Sequence, residues 1–131
     1  MLNDLTKEIH QTAVDHGWWE KEPSFGETVA LCHAELSEAL EEYRAGRPAV
    51  WHKCSASGTC AQPCRVYRSI EDVTQCVAYD PKPEGVAVEM ADCLIRILDW
   101  FGHTGLDADA IVREKMEYNK TRPYRHGGKR L

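Results

Sequence analysis

The chain has 131 residues, 43% of them hydrophobic and 28% charged, which is the balance of an ordinary globular protein and fits one compact domain over residues 1–131. Its formal net charge of −5 argues against a general binder of nucleic acid polymers, whose surface is basic. No apolar run approaches the ~18–20 residues that span a bilayer, and Met1 to His16 lacks the continuous apolar segment of a signal peptide, so a cytoplasmic protein with no membrane partner is expected.

In chain order, the first helix is predicted from Asn3 to His16, where Leu5, Ile9 and Ala13 recur at helical spacing before Gly17. A short connection carries Trp18 and Trp19 and ends at Pro23. In the second helix Ser24 followed by Glu27 reads as a capping box. Val29, Cys32, Leu36, Leu40 and Tyr43 form its apolar stripe, and Gly46 and Pro48 end it. From about Arg47 to residue 82 the periodicity disappears. So long a connection in a small domain suggests a functional or metal-tied insertion. The third helix is predicted from Glu84 to Phe101, with a stripe of Ala87, Met90, Leu94, Leu98 and Phe101. The fourth starts at an Asp107 N-cap and runs to about Thr121, before Pro123. Residues 122–131 are a basic, glycine-containing tail. The expected class is therefore all-α, a four-helix bundle with a long irregular cysteine-containing insertion between helices 2 and 3.

The acids on these helices are the informative residues. Glu35, Glu38 and Glu42 of the second helix fall within a sector of roughly 60° at ~100° per residue. Glu89 and Asp92 of the third share a face in the same way. Packing the two apolar stripes together would bring both acid pairs to one rim. Carboxylates gathered like this repel, and a hard divalent cation that prefers oxygen ligands, Mg²⁺ or Mn²⁺, removes the repulsion. Such an ion can bind phosphate oxygens and activate water. Glu41 and Glu42, taken alone, read as a solvated helix face. Lys115, Asn119 and Arg122 line up on the fourth helix, and Arg125, His126 and Lys129 surround Gly127 and Gly128 in the tail. Cationic and amide donors of this kind suit a triphosphate.

These segments together resemble the MazG-like all-α nucleotide pyrophosphohydrolases. The resemblance rests on Phe25-Gly26-Glu27, on His33 to Glu42 with its ExxE, and on Glu89-Met90-Ala91-Asp92 as ExxD. It continues through Arg113 to Asn119 and through Arg122 to Lys129. It covers nearly everything except residues 47 to 82, and the gap between the two acid motifs is longer here than the family usually shows. The resemblance implies a homodimer or homotetramer, with Mg²⁺ at Glu35, Glu38, Glu89 and Asp92. It implies hydrolysis of a (d)NTP between the α and β phosphates by metal-activated water, giving a (d)NMP and pyrophosphate. Lys115, Asn119 and Arg122 would hold phosphates or sugar. Trp18, Trp19 and Phe25 are the nearest aromatics to meet a base, with Trp18 the expected substrate contact and core packing the other reading for all three.

Cys54, Cys60, Cys64 and Cys76, with His52 as a substitute ligand, could form a tetrahedral Zn²⁺ site in the insertion. Their spacing is not the paired CxxC of a strong zinc signal, and free thiols or disulfides are the other readings. Cys32 reads as core. His33-Ala34-Glu35 offers the HxE of zinc deaminases without the downstream PCxxC. The Glu-x-x-His pair of a di-iron bundle and the GxxxxGK[ST] of a P-loop are both absent. The alternative that remains is a non-catalytic nucleotide- or partner-binding helical module with a zinc-stabilised insertion.

Overall fold

The computed structural model describes residues 1–54 and 81–124. Four helices dominate it: α1 (Leu2–Asp15), α2 (Phe25–Arg44), α3 (Val86–Thr104) and α4 (Ala108–Lys120). The chain is thus mostly helical, as its periodicity implies. Two short strands, β1 (Trp51–Cys54) and β2 (Pro81–Glu84), pair antiparallel. The expectation of structureless chain from residue 47 to 82 is therefore corrected at both its ends. Glu84 belongs to β2, so the third helix starts later than its sequence pattern suggests and runs on to Thr104. Four-residue strands lie below the length at which alternation can be read, and both Pro81 and Pro83 sit in β2, which tolerates them as an edge strand.

The helix starts follow local chemistry. Ser24 Oγ accepts from the Glu27 amide at 3.2 Å, and Glu27 Oε2 accepts from the Ser24 amide at 2.7 Å, closing the capping box. Asp107 caps α4 by accepting from the Ala110 amide at 2.9 Å.

The chain divides into two compact units, one made of Met1–Glu22 with Leu98–Leu131, the other of Pro23–Ile97. In the first, Asn3 ties the start of α1 to the start of α4. Its Nδ2 donates to Asp107 Oδ1 at 2.8 Å, its Oδ1 accepts from the Asp109 amide at 3.2 Å, and its own amide donates to Asp109 Oδ2 at 3.1 Å. Gly102 lets α3 approach α1 closely. A Cβ built there would lie 2.5 Å from His10 Cβ and 2.6 Å from the Thr6 carbonyl.

In the second unit the ribbon is fixed by polar contacts. Trp51 Nε1 donates to Glu42 Oε2 at 2.9 Å, and Arg47 ion-pairs the same carboxylate while lying over the Trp51 ring. Gly85, at φ +113°, passes so close to the Pro48 and Ala49 carbonyls that a Cβ would come within 2.7 Å of backbone, and the Ala87 amide donates to Ala49 O at 2.9 Å. Glu42 is consequently buried and doubly partnered, which corrects its reading as a solvated acid; Glu41 is exposed as expected.

The burial pattern of α2 and α3 reverses the expected arrangement. Glu35, Ala39 and Glu42 are the buried residues of α2, and Glu89, Cys93 and Leu98 of the expected stripe are buried on α3. Leu36, Leu40 and Tyr43, with Met90, Leu94 and Ile97, are exposed instead. Glu35, Glu42 and Glu89 therefore face inward within one chain, while much of the expected apolar stripe of each helix faces out. Among the described residues no helix is long and apolar enough to cross a membrane.

Candidate metal centre

The acid cluster is built from opposite directions by α2 and α3. Glu35 and Glu38 sit one turn apart on α2, and Glu89 lies in the first turn of α3. Each of the three offers a carboxylate oxygen, and these oxygens all lie within 4.8 Å of one another. Glu35 and Glu89 are buried and Glu38 is exposed, so the cluster opens to solvent on one side. Asp92, the fourth expected ligand, stands outside this triad but inside its field. Burial raises its carboxyl pKa and Glu35 adds to the rise, while Arg96 and Lys82 oppose it.

Glu89 carries a signature of unbalanced charge. Burial raises its pKa first, and Glu38, Asp92, Glu35 and Glu84 all push it further in the same direction. Lys82 of β2 lies in its field, but the largest influences on it are burial and other carboxylates. A carboxylate whose neighbours are carboxylates is held in an unfavourable ionised state until positive charge arrives.

Two cations border the cluster. Arg96, one turn beyond Asp92 on α3, donates to Glu35 Oε1 at 2.6 Å. Lys82 of β2 donates to Glu84 Oε1 at 2.9 Å and lies in the field of Glu89 and Asp92. Among the described residues five carboxylates (Glu35, Glu38, Glu84, Glu89, Asp92) thus share two basic side chains, which leaves a surplus of acidic groups. The donor set is all hard oxygen, which suits Mg²⁺ or Mn²⁺ rather than a thiophilic metal. Cys32 and Cys93 pack beside it with their thiols in contact. Burial and Cys93 push the Cys32 thiol up, away from the thiolate form that a metal would need.

Arg96, Lys82 and Glu84 were missed from the sequence. For Arg96 the signal existed, since it follows Asp92 by four residues and extends the acid face of α3. For Lys82 and Glu84 it did not, because their placement depends on the β1–β2 pairing.

The other expected site residues lie elsewhere. Lys115 and Arg122 both approach the Tyr118 ring, at 4.8 and 5.7 Å, and with Asn119 they are exposed on and just after α4 in the first unit. Their expected neighbours Val112 and Met116 are exposed as well; only Ala108 of α4 is buried. Trp18 is 65% exposed, whereas Trp19 is the built aromatic. Its Nε1 donates to both oxygens of Asp99 at 3.1 Å, its ring stacks on His103 at 4.0 Å, and His10 Nδ1 meets Asp99 Oδ1 at 2.7 Å. Arg125, His126 and Lys129, and Cys60, Cys64 and Cys76 of the zinc expectation, lie outside the described residues, as does the side chain of Cys54. His52 Nδ1 is buried with no hydrogen-bond partner among the described residues.

Comparison of the chain with protein-family models, with curated proteins and with solved structures finds no match.

Proposed function

We propose that this protein is a Mg²⁺-dependent nucleoside triphosphate pyrophosphohydrolase of MazG-like type, cleaving a (d)NTP to a (d)NMP and pyrophosphate. The observation that supports it best is the convergence of Glu35, Glu38 and Glu89 within 4.8 Å, with the Glu89 carboxyl pushed up by burial and by four acidic neighbours. The ordered ExxE and ExxD motifs, and their likeness to the family, supply the substrate class.

In this reading Glu35, Glu38, Glu89 and Asp92 hold the metal. A divalent cation there supplies Lewis acidity toward phosphate oxygens and a water of lowered pKa. Arg96 holds Glu35 in place, and exposed Glu38 borders the open side from which substrate enters. Lys115, Asn119, Arg122, Arg125, His126, Lys129 and Trp18 remain proposed contacts for phosphates, sugar and base.

The working form is a homodimer or homotetramer. Among the described residues the buried apolar side chains are Ala13, Ala39, Cys93, Leu98 and Ala108, and none of the large ones is fully buried. So thin a core, beside the exposed stripes of α2 and α3, favours a second copy as the cover.

The test is a panel of NTPs and dNTPs with and without Mg²⁺, resolved by ³¹P NMR. Mg²⁺-dependent pyrophosphate release, lost in Glu38→Gln with the fold intact, is the expected result. Orthophosphate as product would sink the α–β cleavage. A folded protein that binds Mn²⁺ but turns over no nucleotide would instead favour the binding module.

A further inference from the structure

We propose that Lys82 and Lys53, paired across the β1–β2 ribbon, bind the two outer phosphates of the substrate, the part that departs as pyrophosphate. The proposal rests on the function proposed above and adds a phosphate-binding element from the insertion, which neither acid motif includes.

Three observations carry it. First, the register sets Lys53 directly opposite Lys82, and Trp51 opposite Glu84. Directly opposed residues share a face of an antiparallel pair, and residues two apart share it too. Trp51, Lys53, Lys82 and Glu84 therefore lie on one face, and Trp51 on that face contacts Glu42 of α2. Second, two lysines directly opposite each other disfavour the pairing. An arrangement that costs stability in the isolated ribbon suits an anion bound between them. Third, Lys82 is 68% exposed at its side chain and one of its donors meets Glu84, which lies outside the oxygen triad. An ammonium has three donors, so Lys82 keeps capacity for phosphate when the triad is engaged. Arg96 differs: its partner Glu35 is a triad member, which makes it a positioning residue rather than a phosphate ligand.

Lys82 also lies in the field of Glu89 and Asp92. A phosphate chain reaching from those acids toward the ribbon would meet cationic charge along its β and γ phosphates, the group that carries the new negative charge once the α–β bond breaks.

The experiment uses the full chain, with Mn²⁺ and inorganic pyrophosphate as probes. Mn²⁺ affinity is read by electron paramagnetic resonance, and binding of pyrophosphate and of a nucleoside monophosphate by calorimetry at fixed Mn²⁺. Lys82→Met is expected to weaken pyrophosphate binding about tenfold or more, the scale of a lost charge-assisted contact. Lys53→Met weakens it less, and Lys82→Arg keeps it within about threefold of the parent. Mn²⁺ affinity holds or rises in Lys82→Met, because a cation leaves the field of Glu89 and Asp92, and monophosphate affinity stays unchanged. Pyrophosphate binding within about twofold of the parent in the Lys82→Met, Lys53→Met double variant would overturn the proposal. So would an equal loss of monophosphate binding. A parent that binds Mn²⁺ and pyrophosphate through these lysines yet hydrolyses no nucleotide would uphold the lysine site and sink the hydrolase reading. A parent that binds no pyrophosphate overturns the lysine site, while its nucleotide turnover decides the hydrolase reading separately.

Discussion

Arg96 reaches from α3 to α2 and donates to Glu35 Oε1 at 2.6 Å. The pair neutralises one carboxylate of the triad from the helix that carries another. Glu35 is buried, and Arg96 is about one-third exposed, so the bond is worth more than a surface ion pair and less than a fully buried one. Arg96→Met should lower the stability of the metal-free protein by about 2 kcal/mol, the scale of a charged hydrogen bond. Saturating Mn²⁺ should shrink that deficit, because the ion then compensates Glu35. Thermal melts of parent and variant, with and without Mn²⁺, check this; an equal deficit in both conditions would separate Arg96 from the metal centre.

Glu89→Gln should separate stability from function. Burial and four acidic neighbours raise the carboxyl pKa, so ionised Glu89 costs the fold above that raised value and the cost is relieved as pH falls through it. The neutral amide removes the repulsion at all pH. The metal-free variant should therefore gain about 1 kcal/mol at neutral pH, while Mn²⁺ binding and hydrolysis are lost. Melts at pH 7.5 paired with Mn²⁺ titration decide the point. A variant that is destabilised without metal would mean that Glu89 has a compensating partner.

What could be seen in the sequence, and what could not, follows from the range of each interaction. The Ser24–Glu27 box and the Asp107 cap use bonds between residues three apart, so the helix starts were legible. The spacing of Glu35 with Glu38, and of Glu89 with Asp92, is equally local. Which face is buried is not. Periodicity marks an apolar stripe on α2, but burial of Glu35 and Glu42 depends on Arg96, 61 residues away, and on Arg47 and Trp51 beyond the helix end. The choice between Trp18 and Trp19 likewise turns on Asp99, 80 residues further along.

The outward stripes make their own prediction. Leu40 and Leu94 are each 50% exposed within a single chain, which two copies packed through α2 and α3 would relieve. In the proposed oligomer Leu94→Glu should give monomer, with loss of activity and of thermal stability together, as measured by light scattering and melts. If the parent is already monomeric at micromolar concentration, the apolar face has another occupant.

The Asn3 clasp predicts an acid-sensitive first unit. Hydrogen bonds from Asn3 hold the Asp107 and Asp109 carboxyls below their usual pKa. A depressed folded-state pKa contributes stability above the ordinary carboxylate value of about 3.9 and loses it as pH falls through the folded one. Asn3→Ala removes the side-chain donor to Asp107 and keeps the backbone donor to Asp109, so its destabilisation should be largest near neutral pH and fade below about pH 4 as Asp107 is protonated. A pH series of denaturant melts measures the difference, and a constant gap across the series would show that Asn3 acts through packing alone.

Gly102 tests how closely α1 and α3 meet. In an exposed helix interior, Gly→Ala adds about 1 kcal/mol of stability because alanine loses less backbone freedom. At Gly102 the new methyl would lie 2.5 Å from His10 Cβ and 2.6 Å from the Thr6 carbonyl, contacts that van der Waals radii forbid. Neither neighbour yields cheaply: one is a backbone oxygen, and the other belongs to a His10 side chain held to Asp99 at 2.7 Å. Moving the helices apart to admit the methyl costs about 1–3 kcal/mol as overpacking, which outweighs the propensity gain. Gly102→Ala should therefore destabilise the protein and shift Trp19 fluorescence, because Trp19 shares the Asp99 carboxylate with His10. The carboxylate triad belongs to the other unit, so the Mn²⁺ affinity proposed for it should stay at the parent value at low temperature. A more stable Gly102→Ala protein would show that α1 and α3 stand further apart than this geometry gives.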